Sequence, residues 1–334
     1  MNAAFSSAPQ RDEVPLKMVA ANCCLCDQGD SDTIGTGEDF EYRTSADKFT
    51  AMRCHSCGLV YLNPRPAWEE FARIYPSNYH AFEFSETKFG FVFKVRRRLE
   101  AKRLLAWCRN LPDDARIIDI GCGDGFHLEI LKDFGKKTWQ LEGVDADERA
   151  VKMAHRKGLT IHHGLLETLA LPPEKYDLAI SLQTIEHLDS PPQLLAHVRQ
   201  LLRPGGRLVI VTDNTDSLDF RIFKHRHWGG YHFPRHWNLF NRQTMHRLAE
   251  KTGFAVEAIT TQVSPVNWTY SVRNALAARN APHWLVERFS LKSTLALGAF
   301  TIFDALHNFA GRGALLNAIL KRPALKTRVL KENL

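Results

Sequence analysis

The segment Ile117-Ile118-Asp119-Ile120-Gly121-Cys122-Gly123-Asp124-Gly125-Phe126 constrains this chain more than any other. An apolar strand runs straight into alternating glycines, and a helical stretch follows from about His127 to Lys132. Glycines at such a turn let a ligand approach the backbone and expose amide hydrogens at a helix start. Further short apolar runs follow at Leu141–Val144, Leu178–Leu182 and Leu208–Val211, separated by amphipathic stretches. This alternation predicts an α/β fold of parallel βαβ units. Leu194, Leu195, Val198, Leu201 and Leu202 lie at helical offsets before Pro204-Gly205-Gly206 stops the helix. A helix over Thr244–Thr252, a strand over Ala255–Thr261 and a last strand over Ala314–Leu320 complete the expectation. Asp145 ends the second strand about 20 residues beyond the glycines, where a carboxylate can accept both ribose hydroxyl hydrogens. The glycine turn by itself suits a dinucleotide equally well.

In chain order, Asp119 to Gly125, Asp145, Tyr176-Asp177, Glu186-His187-Leu188 and Leu202-Arg203-Pro204-Gly205-Gly206-Arg207-Leu208 resemble the class I, Rossmann-like S-adenosylmethionine-dependent methyltransferases. The resemblance extends from about Asp114 to Thr212. It implies a doubly wound, mostly parallel seven-stranded sheet with helices on both faces, and S-adenosylmethionine as cofactor. It also implies that Asp119, Gly121, Cys122 and Gly123 lie against the methionine part of the cofactor, and that Asp145, followed by Ala146, grips the ribose. Leu165 or Leu166 then flanks adenine, and Gln183, ending the fourth strand, joins the same cleft. Many members carry an aspartate where this chain has Leu165, so adenine here would rely on backbone contacts.

Cys23-x-x-Cys26 and Cys54-x-x-Cys57 have the spacing from which tetrahedral zinc sites are built, and Gly58 suits the turn that a knuckle needs. Four thiolates close the coordination sphere, which makes such a zinc structural. Cys24 is an alternative ligand to Cys23. Cys57-Gly58-Leu59-Val60, followed by Asn63-Pro64-Arg65-Pro66, resembles the zinc-knuckle heads of bacterial small-molecule methyltransferases, some of which act on nucleotide-linked sugars or secondary metabolites. The expected organisation is a loose tail over 1–17, a zinc-ribbon-like module over 18–67, a helical bridge over 68–112 and a methyltransferase domain over 113–334, with a helical insertion at about 266–310. No secretory pattern stands at Met1–Pro15, and the cysteines suit a reducing compartment, so a cytoplasmic location is expected.

Methyl transfer requires the acceptor to be positioned and, where needed, a proton to be accepted. His187 and His236 are candidate bases, and Arg235 is a candidate anchor for an anionic group. The histidine-rich stretch His225–His236 has no carboxylate at metal-ligand spacing, which argues against a metal there. Ser181-Leu182-Gln183-Thr184 lacks the Asn/Asp-Pro-Pro-Tyr/Phe turn used on exocyclic amines of bases, so a small-molecule acceptor methylated at O or C is expected. A formal charge of +7 and the run Arg96-Arg97-Arg98 keep RNA as an alternative acceptor. A non-catalytic cofactor-binding protein is a third reading. Helices over Val266–Ala278 and Trp284–Leu306 are expected to form core or a dimer face, or to touch the inner face of a membrane carrying a lipid-linked acceptor. The apolar run Ser293–Phe303 falls short of the roughly 20 residues that span a bilayer.

Overall fold

The computed structural model describes residues 14–76 and 86–324, with side chains from Phe93 onward in the second stretch. Most of the expected 1–17 tail, part of the expected bridge and residues 325–334 therefore lie outside the described residues. The part of the tail from Val14 on is tied down. Leu16 is buried, its amide donates to Asp47 Oδ2 at 2.8 Å, and Arg73 donates to the Val14 carbonyl at 2.6 Å.

The N-terminal part contains β1 (Met18–Val19), β2 (Ser31–Gly37), β3 (Phe49–Cys54), β4 (Val60–Leu62) and β5 (Arg65–Pro66), then α1 (Phe71–Ile74) and the long α2 (Glu86–Trp107). The α/β part begins with β6 (Arg116–Ile120), α3 (Phe126–Phe134), β7 (Gln140–Asp145), α4 (Glu148–Arg156), β8 (Thr160–His163) and β9 (Tyr176–Leu182). It continues through α5 (Pro191–Leu201), β10 (Leu202–Asp213), α6 (Leu218–Phe223), β11 (Asn238–Leu239), α7 (Arg242–Lys251) and β12 (Ala255–Gln262). Helices α8 (Pro265–Ala277), α9 (His283–Glu287) and α10 (Thr294–Phe309) precede the final strand β13 (Leu315–Lys321).

The central sheet has seven strands in the order β12-β13-β10-β9-β6-β7-β8. β13 is antiparallel to both neighbours and the other pairings are parallel. β9 is buried along its whole length, as a strand covered on both faces must be. Local chemistry sets the helix starts. Asp147 caps α4 by accepting from Arg149 N and Ala150 N, Pro191 and Pro192 open α5, and Asn241 with Thr244 forms a capping box on α7. The strands proceed from β6 outward to β8, then the chain crosses back to β9 and winds to the other edge. The reversal between β6 and β9 opens a crevice at their C-terminal ends, the ordinary ligand position in such sheets.

Three expectations change. The helix expected over Trp284–Leu306 is broken into α9 and α10, because Ser293 turns its side chain to cap a new helix at Ala296 N. The N-terminal sheet is not self-contained: its order β11-β4-β3-β2 includes a strand from beyond β10, with Asn238 paired to Tyr61. The knuckle residues Cys23, Cys54, Cys57 and Leu59 share one buried cluster with Ile118, Leu194 and Met245 of the α/β part. The basic helix α2 is also partly spoken for, since Arg97 pairs with Asp133 and Glu129 of α3.

Candidate functional site

The first wall of the crevice is the turn after β6. Gly121 has φ of +73°, and a Cβ there would lie 2.4 Å from the side chain of Thr184 at the end of β9, so the two strand ends meet only over a glycine. Gly123 also has positive φ, +54°, but a Cβ there would meet nothing within 4 Å. Its backbone therefore faces open space, as a ligand cradle requires. Asp145, ending β7, holds the turn from the other side: its Oδ2 accepts from Gly123 N at 2.7 Å and its Oδ1 from Asp147 N at 2.8 Å. Burial above all raises its pKa.

Asp119 is 1% exposed, and its Oδ2 has no hydrogen-bond partner among the described residues, with His127 Nδ1 3.9 Å away. Burial, and then the Asp145 charge, push its carboxyl up to about 8. A buried carboxylate oxygen left unpaired beside an open glycine turn fits the ammonium of an amino-acid moiety, which would restore the missing partner. Around the rest of the crevice, Cys122 is buried, Leu166 is buried and Leu165 exposed, Ala146 O is 3.2 Å from His163 Nε2, and Gln183 stands exposed at φ of +54°. The residues expected from the sequence to meet the cofactor thus stand at the C-terminal ends of β6, β7, β8 and β9.

Past Gln183 the chain makes a short turn through Ile185–His187 that leads into a buried polar cluster. His187 Nδ1 lies 2.8 Å from Tyr75 Oη and 3.2 Å from the Arg235 carbonyl. The Arg235 carbonyl can only accept, whereas the Tyr75 hydroxyl can donate or accept, so both contacts hold the ring through Nδ1. Burial first, then His236 and His232, hold the His187 pKa well below its ordinary value, so the ring is neutral at pH 7. The His187 and His236 rings are 4.6 Å apart, edge to face. His236 Nδ1 is 2.8 Å from Gly230 O and 3.1 Å from Asp213 Oδ2. Burial acts to lower the His236 pKa, but Asp213 and Glu186 outweigh it and raise it. Glu186 is fully buried, accepts from Thr212 Oγ1 at 2.8 Å, and is pushed up to about 7 by burial.

Two readings of this region need correction. Glu186, His187 and His236 bring ligand atoms within 4.8 Å of one another, so the fold supplies the carboxylate that the linear spacing lacked. Arg235 is not aimed at a ligand. Its side chain is buried, pairs with Asp39 at 2.8 Å, donates to the Ile74 and Phe233 carbonyls at 2.6 and 3.0 Å, and stacks over Tyr42. Tyr75 and Asp213 gave no signal in the sequence, because only the folded chain brings an α1 terminus and the end of β10 to His187 and His236.

The second candidate centre is in the N-terminal sheet. The sulfurs of Cys23, Cys26, Cys54 and Cys57 all lie within 4.8 Å of one another, with Cys23–Cys57 at 3.3 Å and Cys26–Cys54 at 3.4 Å. Zinc held tetrahedrally at about 2.3 Å from each sulfur needs sulfurs roughly 3.8 Å apart, so this set fits it. Cys23, not Cys24, is the member of the cluster. A residue of positive φ follows each pair, Asp27 at +59° and Gly58 at +79°, and turns the backbone around the sulfurs.

Residues 91–259, just over half of the chain, match the family model described as Methyltransferase domain. A ubiquinone biosynthesis O-methyltransferase of Roseobacter denitrificans is 39% identical over 111 residues, 31% of this chain and 44% of that one. One from Cereibacter sphaeroides is 28% identical over 169 residues, 47% of this chain and 67% of that one. The match thus spans between under half and about two thirds of these relatives. Among solved structures, a SAM-dependent methyltransferase from Archaeoglobus fulgidus is similar with a TM-score of 0.47 and 22% identity, over 72% of this chain and 99% of that one. With the glycine turn, Asp145 and the strand-end switch point in this order, and a family model covering them, the chain belongs to the methyltransferase domain family and carries an S-adenosylmethionine-dependent methyltransferase domain.

Proposed function

We propose that the enzyme methylates an oxygen or carbon of a small-molecule acceptor, with His187 as general base. The observation that carries this reading is the ring of His187, kept neutral by its surroundings and held through Nδ1 by Tyr75 and the Arg235 carbonyl. S-adenosylmethionine, when bound, supplies an activated methyl group. We assign its binding to Asp119, Gly121, Cys122, Gly123, Asp145, Ala146, Leu165, Leu166 and Gln183. His187 receives the acceptor's proton, Tyr75 steadies its ring, and His236, held by Asp213, is the neighbouring polar support. Glu41, Trp228, Tyr231, His232 and Tyr270 line a small cleft next to this cluster. The named relatives, ubiquinone biosynthesis O-methyltransferases, support a small molecule over a nucleic acid.

The residues 18–67 form, in this reading, a zinc module whose metal is structural, docked on a methyltransferase domain that begins near residue 113. The test is transfer of a labelled methyl group to panels of phenolic, sugar-nucleotide and lipid-linked acceptors by the wild type and by His187→Asn. Product formed by the wild type and reduced about 100-fold or more in the variant supports the assignment. Equal rates remove His187 from the chemistry.

A further inference from the structure

Helix α10 is inverted relative to an ordinary surface helix. Its one acidic side chain, Asp304, is 0% exposed and faces inward, where it accepts from Ser264 N at 2.8 Å, Trp268 Nε1 at 2.9 Å and Ala314 N at 3.2 Å. On a helix of 3.6 residues per turn, the positions opposite Asp304 are Leu295, Ile302 and Leu306, flanked by Gly298, Ala299 and Phe309. These are the exposed ones: Leu295 is 78%, Ile302 68%, Leu306 64% and Phe309 90% exposed. The outward face of a sixteen-residue helix therefore carries no charge at all. A continuous apolar stripe of this kind marks an interaction surface, unlike single exposed apolar residues.

Charge around the stripe selects the partner. Between residues 278 and 313 the exposed cations are Arg279, Arg288, Lys292 and Arg312, and the exposed carboxylate is Glu287, which pairs with Arg273 at 3.2 Å. Lys292 and Arg312 bracket α10 at its two ends, and Trp284 stands 67% exposed on α9. A two-fold pairing of α10 with a second copy would set these end cations against cations, whether the helices ran parallel or antiparallel. Anionic headgroups complement the same cations, and a tryptophan suits the headgroup layer. The helix is about 24 Å long at 1.5 Å per residue, and no helix among the described residues is long and apolar enough to cross a membrane. It can lie on a bilayer rather than span it.

We propose that the outward face of α10 docks on an anionic phospholipid bilayer, with Leu295, Ile302, Leu306 and Phe309 entering the acyl boundary and Lys292 and Arg312 at the headgroups. The surface shares no residue with those assigned to the cofactor and does not depend on the acceptor assigned above. It is tested by flotation of the full-length protein with vesicles of phosphatidylcholine containing phosphatidylglycerol, and with vesicles of phosphatidylcholine alone. The wild type floats with the anionic vesicles, less so at high salt, and not with the neutral ones. The double variant Ile302→Ser/Leu306→Ser, whose sites are exposed, keeps its melting temperature and loses about ten-fold or more of its vesicle affinity. Lys292→Glu/Arg312→Glu weakens binding comparably. Failure of the wild type to float overturns the proposal. So does flotation of Ile302→Ser/Leu306→Ser equal to wild type, or a concentration-dependent dimer that this variant abolishes while vesicles stay unbound.

Discussion

Asp119 shows how one buried carboxyl couples stability to ligand binding. In the ligand-free protein its pKa stands at about 8 against an ordinary 3.8, so the folded form is protonated at neutral pH where the unfolded form is ionised. A raised carboxyl contributes stability below about pH 4 that is lost as pH rises through 8. Asp119→Asn is therefore expected to raise the melting temperature of the ligand-free protein above pH 7. The same change is expected to weaken S-adenosylmethionine binding about 10- to 100-fold, because a charged hydrogen bond is lost. Undiminished binding by calorimetry would show that Asp119 does not meet the cofactor. His187 has the opposite sign. A base with a depressed pKa stays deprotonated well below its ordinary 6.5, so kcat/KM is expected to hold level through pH 6 and fall only in more acidic buffer. A rate titrating at 6.5 or higher would count against His187. Asp119 and Asp145 were legible because strand, glycine turn and acidic strand end are local patterns. Tyr75 and Asp213 were not, since their roles depend on residues 112 positions from Tyr75 and 23 from Asp213 meeting only in the fold.

Among the elements, the segment from α6 to β11 does more structural work than its histidines suggested. Arg235 and Asp39 form a fully buried pair across 196 positions, and the Arg235 charge, working against burial, keeps the Asp39 carboxyl below its ordinary range. Removing one partner leaves a buried charge, so Arg235→Met is expected to cost about 3–5 kcal/mol of stability, read as a large drop in melting temperature. Methyl transfer by the surviving folded protein should fall far less than in His187→Asn. A stable Arg235→Met variant that has lost acceptor affinity would restore Arg235 as an anchor. Most central strands were read near their final positions as short apolar runs, but β8, whose Thr160-Ile161-His162-His163 is not such a run, was not, and β10 starts earlier than its apolar run, at Leu202. The break between α9 and α10 was not read, because apolar residues continue across it and only the turn of Ser293 into a cap ends the first piece. Strand β11 was unreadable for a similar reason: its two residues owe their extended form to pairing with β4.

At the scale of the whole molecule, the cysteine module and the α/β part act as one body, because Cys23, Cys54 and Cys57 pack in the same buried cluster as Ile118 and Met245. Stripping zinc with a chelator is accordingly expected to lower the melting temperature of the entire protein in a single transition, and one zinc per chain is expected in the purified enzyme. A metal-free protein that melts unchanged would make the four thiols ordinary buried cysteines. That four cysteines would meet was readable from two Cys-x-x-Cys pairs, whereas their packing into the main core depends on contacts that no linear spacing encodes. The central claim, that the crevice between β6 and β9 binds S-adenosylmethionine, is tested most directly by calorimetric titration of the folded, zinc-loaded protein and of Asp145→Ala, with thermal melts of both. Saturable binding of about micromolar strength in the wild type, lost in a folded Asp145→Ala, is the expected result. Absence of binding by the wild type, or equal binding by the variant, would contradict the account.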